Sequence, residues 1–251
     1  MLVSIITPSF NSEKFIEETY LSIKNQTHTV WEWLVTDDCS SDNTWKILEK
    51  LQKQDSRVKP IQNKQNSGAA VSRNNSISRA QGEFIAFLDS DDLWLPSKLE
   101  LHLEFMLNNN IDLSFTPYHL IDESSNRLNV SVDMRLSGAF DYEDMLLKRA
   151  TMGCCTVMVR KGSFNDLTMP LIRAGQDYAL WLKLLKTGKD AFIFSKPLSE
   201  YRIVENSLSR NKYKKALKIW RVYREIEKLS LIKSCYVFSH YAVRAFFKLN
   251  Q

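Results

Sequence analysis

The first ninety residues of the chain alternate between short runs of β-branched and aromatic residues and longer segments with helical periodicity. The short runs predict four strands, and the periodic segments between them predict three helices. Such alternation is typical of a parallel sheet with helices on both faces, in which ligands bind beyond the carboxyl ends of the strands. We therefore predict an α/β fold. The predicted strands are 2–7, 33–36, 58–61 and 84–88, and the predicted helices are 13–24, 45–51 and 69–80.

The pattern is less regular after residue 88. The next predicted helix begins at Pro96, and the long polar stretch after the following strand predicts a loop or a poorly packed hairpin. The last predicted helix has one apolar face, with lysines and arginines on the others. The predicted elements are helix 96–109, strand 113–120, loop or hairpin 122–138, strand 154–159, helix 177–185 ended by Gly188, and helix 213–232.

The composition is that of an ordinary globular protein, with 44% hydrophobic and 25% charged residues among 251. These values exclude the disordered class, and no apolar run reaches the ~20 residues that span a bilayer. The four cysteines match neither a metal-binding spacing nor a secreted disulfide framework, and no signal-peptide pattern opens the chain. We therefore expect reduced thiols and a cytoplasmic location.

Positive charge is concentrated at the end of the chain. Residues 210–251 contain eleven lysines and arginines against two glutamates, a net charge of +9, whereas the remainder carries −4. This asymmetry favours an anionic partner for the basic segment, such as a membrane surface, a lipid phosphate or a nucleic acid. The alternative is a helix that packs on the core and exposes its charged face to solvent. The two interpretations are compatible.

Acidic clusters follow two of the predicted strands. Residues 37–42 (DDCSSD) come directly after the second strand, and residues 89–92 (DSDD) come directly after the fourth. Because the ends of parallel strands meet at one edge of a sheet, the two clusters are expected to lie near each other. Like charges repel, so their juxtaposition favours a divalent cation or hydrogen-bond donors between them. The Asp89-Ser90-Asp91 tripeptide supplies the hard oxygen ligands that Mg²⁺ or Mn²⁺ prefers.

Four motifs in this order resemble family 2 of the glycosyltransferases. They are residues 3–11 (VSIITPSFN), 37–44 (DDCSSDNT), 66–74 (NSGAAVSRN) and 87–96 (FLDSDDLWLP). The resemblance implies a GT-A fold, in which a Rossmann-like mixed sheet is flanked by helices. It also implies a divalent metal, Mn²⁺ or Mg²⁺, a nucleoside-diphosphate sugar as donor, usually a UDP-sugar, and inversion at the anomeric carbon.

The same resemblance implies a role for each matching residue. Thr7 and Pro8 would line the nucleotide pocket, and Asp38 would bind the base. Arg73 would lie near the phosphates. Asp89 and its neighbour Ser90 would face the ribose and donor sugar, while Asp91 would ligate the metal. Structural alternatives exist for several of them: Thr7 and Pro8 could end a strand, Asp38 could cap the helix that follows it, and Arg73 could be a surface charge on the third helix.

Inverting transfer also needs a base, and the candidate is Asp177 in residues 174–182 (AGQDYALWL). This segment is similar to the family's Glu-Asp pair ahead of an apolar helix, with Gln176 in place of the first acid. That departure removes a like charge that could raise the pKa of Asp177. The alternative is a carboxylate favoured at a helix N-terminus by the helix dipole.

A second departure lies in residues 201–209 (YRIVENSLS), where many relatives have a metal-binding histidine near the position of Val204. Donor phosphates, water and Glu205 could complete the metal shell instead.

The family's processive members carry a Gln-x-x-Arg-Trp element and membrane spans, and neither is found here. We therefore expect a single sugar to be added to a glycan, such as a polyprenyl-diphosphate-linked O-antigen or capsule intermediate. Residues 1–209 would form the catalytic domain, with a donor half at 1–95 and an acceptor half at 96–209. The basic helical extension 210–251 could contact the inner face of the membrane peripherally.

Two other functional classes stay open. An inactive relative would bind the nucleotide without turnover, and a nucleic-acid-binding protein would use the basic extension and its aromatic residues. We expect no nucleic-acid partner, because that class leaves the acidic turns unexplained. The transferase assignment requires Asp38 and Asp91 to lie at one cleft.

Overall fold

The computed structural model describes residues 1–204 and 212–247, without the side chains of residues 212–215 and 244–247. These ranges form two β-sheets flanked by helices. The strands are β1 (Val3–Ser9), β2 (Trp31–Asp37), β3 (Val58–Gln62), β4 (Phe84–Phe87), β5 (Leu93–Trp94), β6 (Leu113–Phe115), β7 (Tyr118–Ile121), β8 (Arg127–Val132), β9 (Ala139–Phe140), β10 (Met158–Arg160), β11 (Ala191–Ile193) and β12 (Ser199–Arg202). The helices are α1 (Ile16–Lys24), α2 (Thr44–Gln54), α3 (Ala69–Ser78), α4 (Lys98–Asn108), α5 (Tyr142–Leu146), α6 (Gln176–Leu185), α7 (Lys212–Arg221) and α8 (Leu231–Phe247).

The larger sheet has eight strands in the order β3-β2-β1-β4-β10-β6-β11-β9. Strands β3, β2, β1 and β4 are parallel, and β10 joins β4 in the antiparallel direction. The chain order reverses between β1 and β4, and ligands of doubly wound sheets bind at such a reversal. The α/β prediction and its first four strands are confirmed.

The central strand β1 is buried on both faces, and its side chains alternate between two cores. Ile5 packs with Ile16 of α1 and Leu48 of α2, whereas Ile6 packs with Ile77 of α3 on the opposite face. Successive side chains of a strand point to opposite faces, so a continuous apolar run is suited to this doubly covered position. The carboxyl end of β1 therefore lies at the centre of the sheet edge, between the ends of β2 and β4.

The smaller sheet has four strands in the order β5-β12-β7-β8. It corrects one prediction, because the single strand predicted for 113–120 is two strands that belong to different sheets. Pro117 lies between them, and a proline has no N–H to continue a ladder of hydrogen bonds. The polar stretch 122–138 contains β8, which pairs with β7, so of the two alternatives the hairpin is correct.

Two other predicted elements are wrong in part. The strand predicted for 154–159 opens instead with a 3₁₀ turn at Cys154–Thr156, and the strand begins at Met158. The helix predicted for 213–232 ends earlier: α7 continues into a π-helical turn at Val222–Ile226, and a separate helix starts at Leu231. Lys228 adopts a positive φ of 52°, which is incompatible with a continuous right-handed helix.

The C-terminal helices pack on the body of the protein. Ile219, Val222, Tyr223 and Val237 are buried in the same core as α6, and the Tyr223 hydroxyl donates to the carbonyl oxygen of Leu146 at 2.6 Å. The packed-helix interpretation of the basic segment is therefore correct for these residues. The proposed boundary between 209 and 210 falls outside the described residues, as does Glu205. Among residues 1–204 and 212–247, no helix has the length and hydropathy needed to cross a bilayer.

A substitution at Gly82, which lies in the turn before β4, tests how tightly this turn packs on β1. A Cβ atom there would lie 2.7 Å from both the Leu2 carbonyl oxygen and the Ser4 amide nitrogen. Because both contacts are with backbone atoms, we expect Gly82→Ala to lower the free energy of unfolding by about 1–3 kcal/mol. Gly162→Ala is the matched control, since a Cβ there meets nothing within 4 Å. Urea unfolding measures both, and equal stabilities would contradict the packing described.

Candidate active site

The two acidic turns lie at one edge of the large sheet. Asp37 ends β2, and the turn 89–92 follows β4, while both strands pair in parallel with β1 between them. Their carboxyl ends therefore flank the end of β1, and the turns lie on either side of it. Asp38 and Asp91 are thus brought to the same edge, as the transferase assignment requires.

The loop after β1 is tied to the turn after β4 through hydroxyl groups. The Ser12 and Ser90 hydroxyls lie 3.0 Å apart, and the Ser12 and Ser9 hydroxyls lie 2.9 Å apart. The Thr19 hydroxyl of α1 is within 3.1 Å of the carbonyl oxygens of Ser90 and Asp92. Ser9, Ser12 and Thr19 were missed in the sequence, because isolated hydroxyl residues give no signal until the fold brings them together.

Thr7 and Pro8, predicted to line a nucleotide pocket, are buried in β1. The Thr7 hydroxyl accepts a hydrogen bond of 2.8 Å from the indole N–H of Trp33 in β2. Its side chain therefore contributes to the core between β1 and β2. The two residues place the following loop at the sheet edge.

Asp38 is buried and receives three hydrogen bonds. Its Oδ1 accepts from the Ser67 amide at 2.9 Å and the Asn63 side chain at 2.7 Å, and its Oδ2 accepts from the Gly68 amide at 2.7 Å. Gly68 immediately precedes α3 and has a φ of 91°, a conformation that favours glycine. The carboxylate therefore caps the N-terminus of α3. The alternative that Asp38 caps α2, the helix that follows it in the chain, is wrong.

Arg73 of α3 forms an ion pair with Asp89. Its side chain is 6% exposed, and its Nε and Nη1 atoms are buried without an acceptor among the described residues. It is therefore not a surface charge. A buried donor without an acceptor costs free energy, so these two nitrogen atoms favour an anionic ligand beside Asp89.

Asp91 lies beside Asp89 in the same turn. Burial, together with the charge of Asp89, raises the pKa of Asp91 to about 6, although Arg202 and Arg73 act in the opposite direction. In the part of the chain that the structure describes, no other side chain hydrogen-bonds to its carboxylate. The group is therefore free to bind a cation, which would relieve its repulsion with Asp89.

Asp92 has a different environment from Asp91. It is buried, and burial followed by the charges of Asp91 and Asp89 raises its pKa well above the usual range. Its Oδ1 accepts from the backbone amide of Arg202 in β12 at 2.9 Å. Asp92 therefore anchors the turn to the smaller sheet.

Arg202 also binds this turn, and its side chain is fully buried, with 0% exposed. Its Nε donates to the carbonyl oxygen of Asp91 at 2.6 Å, and its Nη2 pairs with Glu18 at 2.7 Å. Its Nη1 donates to the Asp122 carbonyl oxygen at 3.1 Å and to the Ser125 hydroxyl at 2.9 Å. Sequence reasoning did not select Arg202, because its partners lie far away in the chain.

Asp177 lies in the first turn of α6, after Gly175 with a φ of 89°. Burial acts to raise the pKa of this carboxyl, but Lys218 of α7, Arg73, the backbone amide of Tyr178 and Lys148 together lower it, so the pKa lies below the usual range. The group is therefore ionised at neutral pH and can accept a proton. Arg73 acts to lower the pKa of both Asp91 and Asp177, so the carboxylates after β4 and the candidate base share one neighbourhood.

The residues present fit a cation that is held by few protein ligands. The described ranges contain no cluster of three or more histidine, cysteine or acidic residues arranged to enclose a metal. Asp91 and Asp89 offer hard oxygen atoms, and Mg²⁺ commonly binds one or two carboxylates together with substrate phosphates and water. The donor set therefore suits a metal shared with a phosphate ligand.

Comparison with known proteins agrees with this architecture. Residues 4–167 match the model of Glycosyl transferase family 2. A Bacillus subtilis (strain 168) glycosyltransferase named for teichuronic acid biosynthesis, TuaG, is 45% identical over 244 residues, which cover 97% of this chain and 96% of that protein. The Escherichia coli UDP-Glc:alpha-D-GlcNAc-diphosphoundecaprenol beta-1,3-glucosyltransferase WfgD is 36% identical over 96% of this chain and 93% of its own.

Two solved structures share the fold. S. aureus TarS 1–349 in complex with UDP-GlcNAc has a TM-score of 0.73 at 23% identity, covering 98% of this chain and 73% of that one. The mannosyltransferase PcManGT from Pyrobaculum calidifontis, in complex with GDP-Man and Mn²⁺, has a TM-score of 0.72 at 15% identity, covering 96% and 68%. The predicted GT-A fold is confirmed.

Substituting Arg202 tests its hold on the 89–92 turn. We expect Arg202→Met to lower the free energy of unfolding by at least about 2 kcal/mol, because several buried hydrogen bonds are lost together. Arg127→Met removes the exposed pair with Glu200 on the same sheet and should cost less than about 1 kcal/mol. Denaturant unfolding of the two variants gives the comparison. Similar losses would show that the buried arginine contributes no more than a surface pair.

Proposed function

The chain belongs to glycosyl transferase family 2, and on that premise we propose that it transfers one sugar from a UDP-sugar to a hydroxyl of a lipid-linked glycan, with inversion. The observation that carries the proposal is the common neighbourhood of Arg73, Asp89, Asp91 and Asp177. In this neighbourhood Arg73 would bind an anion, Asp91 would bind a cation, and Asp177 would act as the ionised base. In this assignment the product is an intermediate of a surface polysaccharide, such as O-antigen or capsule.

The names of the relatives support a UDP-sugar donor and a lipid-linked acceptor. WfgD is named for a UDP-glucose donor and an acceptor sugar joined to diphosphoundecaprenol, and TuaG is named for teichuronic acid. TarS has been crystallised with UDP and with UDP-GlcNAc. We extend the UDP donor and the diphospholipid acceptor to this chain as parts of the proposal.

The donor would lie along the edge formed by the ends of β1, β2 and β4. Asp38, beside the N-terminus of α3, would recognise the base, and Thr7 and Pro8 would support the floor of the nucleotide pocket. Asp89 and Ser90 would face the ribose and sugar. The donor phosphates would accept hydrogen bonds from Nε and Nη1 of Arg73, the two buried nitrogen atoms that have no acceptor among the described residues.

Asp91 would hold a divalent cation, Mn²⁺ or Mg²⁺, against the diphosphate. The bound cation would supply charge neutralisation for the departing diphosphate. Asp91 suits this task because it is partly buried, next to another carboxylate, and has no hydrogen-bonding side chain among the described residues.

Asp177 would take the proton of the acceptor hydroxyl. The acceptor oxygen forms a bond to the anomeric carbon while the bond from that carbon to the diphosphate oxygen breaks, and its electron pair leaves with UDP. Attack opposite the leaving group inverts the anomeric configuration. A carboxylate kept ionised by Lys218 and Arg73 is ready to accept that proton at neutral pH.

We further propose a cytoplasmic protein that binds peripherally to the inner face of the membrane. Helix α8 exposes Ile232, Tyr236 and Val243, which share one face at helical spacing. Apolar side chains on a helix within a basic segment favour a membrane interface. This contact is compatible with the packing of Val237 on the core.

Replacing Asp91 tests the metal assignment. We expect Asp91→Asn to weaken Mn²⁺-dependent UDP binding at least about 100-fold, because even outer-shell partners of a metal contribute 10–100-fold. Asp190→Asn is the control, since this exposed residue is an aspartate outside the site. Calorimetric titration of UDP with and without Mn²⁺ measures the effect. Unchanged Mn²⁺-dependent affinity in Asp91→Asn would refute the assigned role.

Replacing Asp177 separates chemistry from donor binding. We expect Asp177→Asn to keep UDP affinity within about twofold and to slow transfer by about 10²–10⁴-fold, the usual contribution of a general base. The assay follows UDP-glucose with a synthetic N-acetylglucosamine-diphospholipid, and Glu104→Gln on α4 serves as control. Normal turnover in Asp177→Asn would assign the proton to another group. A wild-type chain that binds UDP but transfers no sugar would favour the inactive-relative alternative.

A further inference from the structure

A groove opens beside the start of α6, between residues 172–174 and the C-terminal helical segment. Its volume is about 390 Å³. Apolar side chains from both sides line it, among them Ile172, Leu217 and Ile226. The groove lies on the side of α6 that α7 covers, separate from the turn after β4.

Three cations line the same groove: Arg173, Lys218 and Arg221. Glu225 is the acidic residue among those that line it, so the wall carries a net positive charge. Within the described residues, neither Arg173 nor Arg221 forms a hydrogen bond or a salt bridge. Three cations against one carboxylate on a partly apolar wall produce a positive potential that attracts an anion.

The groove adjoins the candidate base. A Cβ atom on Gly175 would lie 2.9 Å from Cε of Lys218 and 3.2 Å from Cγ2 of Val222, so α7 passes directly over the start of α6. Asp177 is two residues further on, within the electrostatic reach of Lys218. An anion held by Lys218 and Arg221 would therefore lie close to the position where the acceptor hydroxyl must react.

We propose that this groove binds the diphosphate of a polyprenyl-diphosphate-linked acceptor through Arg173, Lys218 and Arg221, with the first isoprene units against its apolar wall. The inference rests on the proposed function and adds the place where its acceptor is recognised. A free phosphate would use only the cations, and a plain hydrocarbon would use only the apolar wall. A lipid with an anionic head uses both features.

Binding of the diphosphate in this groove would also orient the acceptor. With its diphosphate in the groove, a sugar attached directly to that diphosphate extends toward Asp177. The lipid extends away from the donor edge, on the same C-terminal segment that contains the exposed apolar face of α8. One arrangement thus places the sugar at the base and the hydrocarbon on the side proposed to meet the membrane.

The test uses farnesyl diphosphate as a short acceptor probe, titrated into the full chain without divalent metal. We expect the double variant Arg173→Gln/Arg221→Gln to bind the probe at least about tenfold more weakly, because each charged hydrogen bond to the diphosphate is lost. Lys228→Gln, an exposed cation on the same segment, is the matched control and should bind normally. Farnesol and inorganic pyrophosphate should each bind the wild-type chain at least about tenfold more weakly than farnesyl diphosphate.

Mn²⁺-dependent UDP binding, measured on the same proteins, separates the two possible failures. A wild-type chain that does not bind UDP would refute the proposed function itself. Normal UDP binding, with probe affinity unchanged in the double variant, would refute the groove assignment alone. Farnesol binding as tight as that of farnesyl diphosphate would remove the role of the cations, and pyrophosphate binding as tight would remove that of the lipid.

Discussion

Three carboxylates within four residues must be held together at the end of β4, and two buried arginines make this possible. Arg73 approaches from α3 and pairs with Asp89, while Arg202 approaches from β12 and binds the backbone of Asp91. Their charges oppose the burial and the repulsion by Asp89 that together raise the pKa of Asp91. Because one arginine comes from each half of the chain, the geometry of the turn depends on the whole fold. The conformation of this turn is therefore set only when both sheets are assembled.

The first half of the fold could be predicted because its signals are local. A buried parallel strand is a continuous apolar run, and the helix after it shows its period within three turns. The carboxylates at the strand ends are equally local, so Asp38, Asp89 and Asp91 could be selected from the sequence alone. Arg202 and Thr19 could not, because each acts through partners some seventy to more than one hundred and eighty positions away.

The second half was harder to predict because its elements are short and tertiary contacts set their limits. Pro117 divides what resembles one strand, and the two pieces join different sheets. The C-terminal helix is broken near Lys228, which has a positive φ although glycine is the usual signal for that conformation. A periodic pattern continues through such a break, so hydrophobic spacing alone predicts a single long helix.

The surroundings of the candidate base, Asp177, show how the C-terminal segment takes part in the candidate site. In the motif that this segment resembles, an acid stands at the position of Gln176, and the neutral side chain found here adds no charge that would repel Asp177. Lys218 then adds a positive charge from α7, and its stem packs against Gly175, where any larger residue would displace it. Both changes favour the ionised carboxylate, which is the form a general base requires. A segment that resembles a basic extension in the sequence therefore helps to lower the pKa of the residue that we propose to accept the proton.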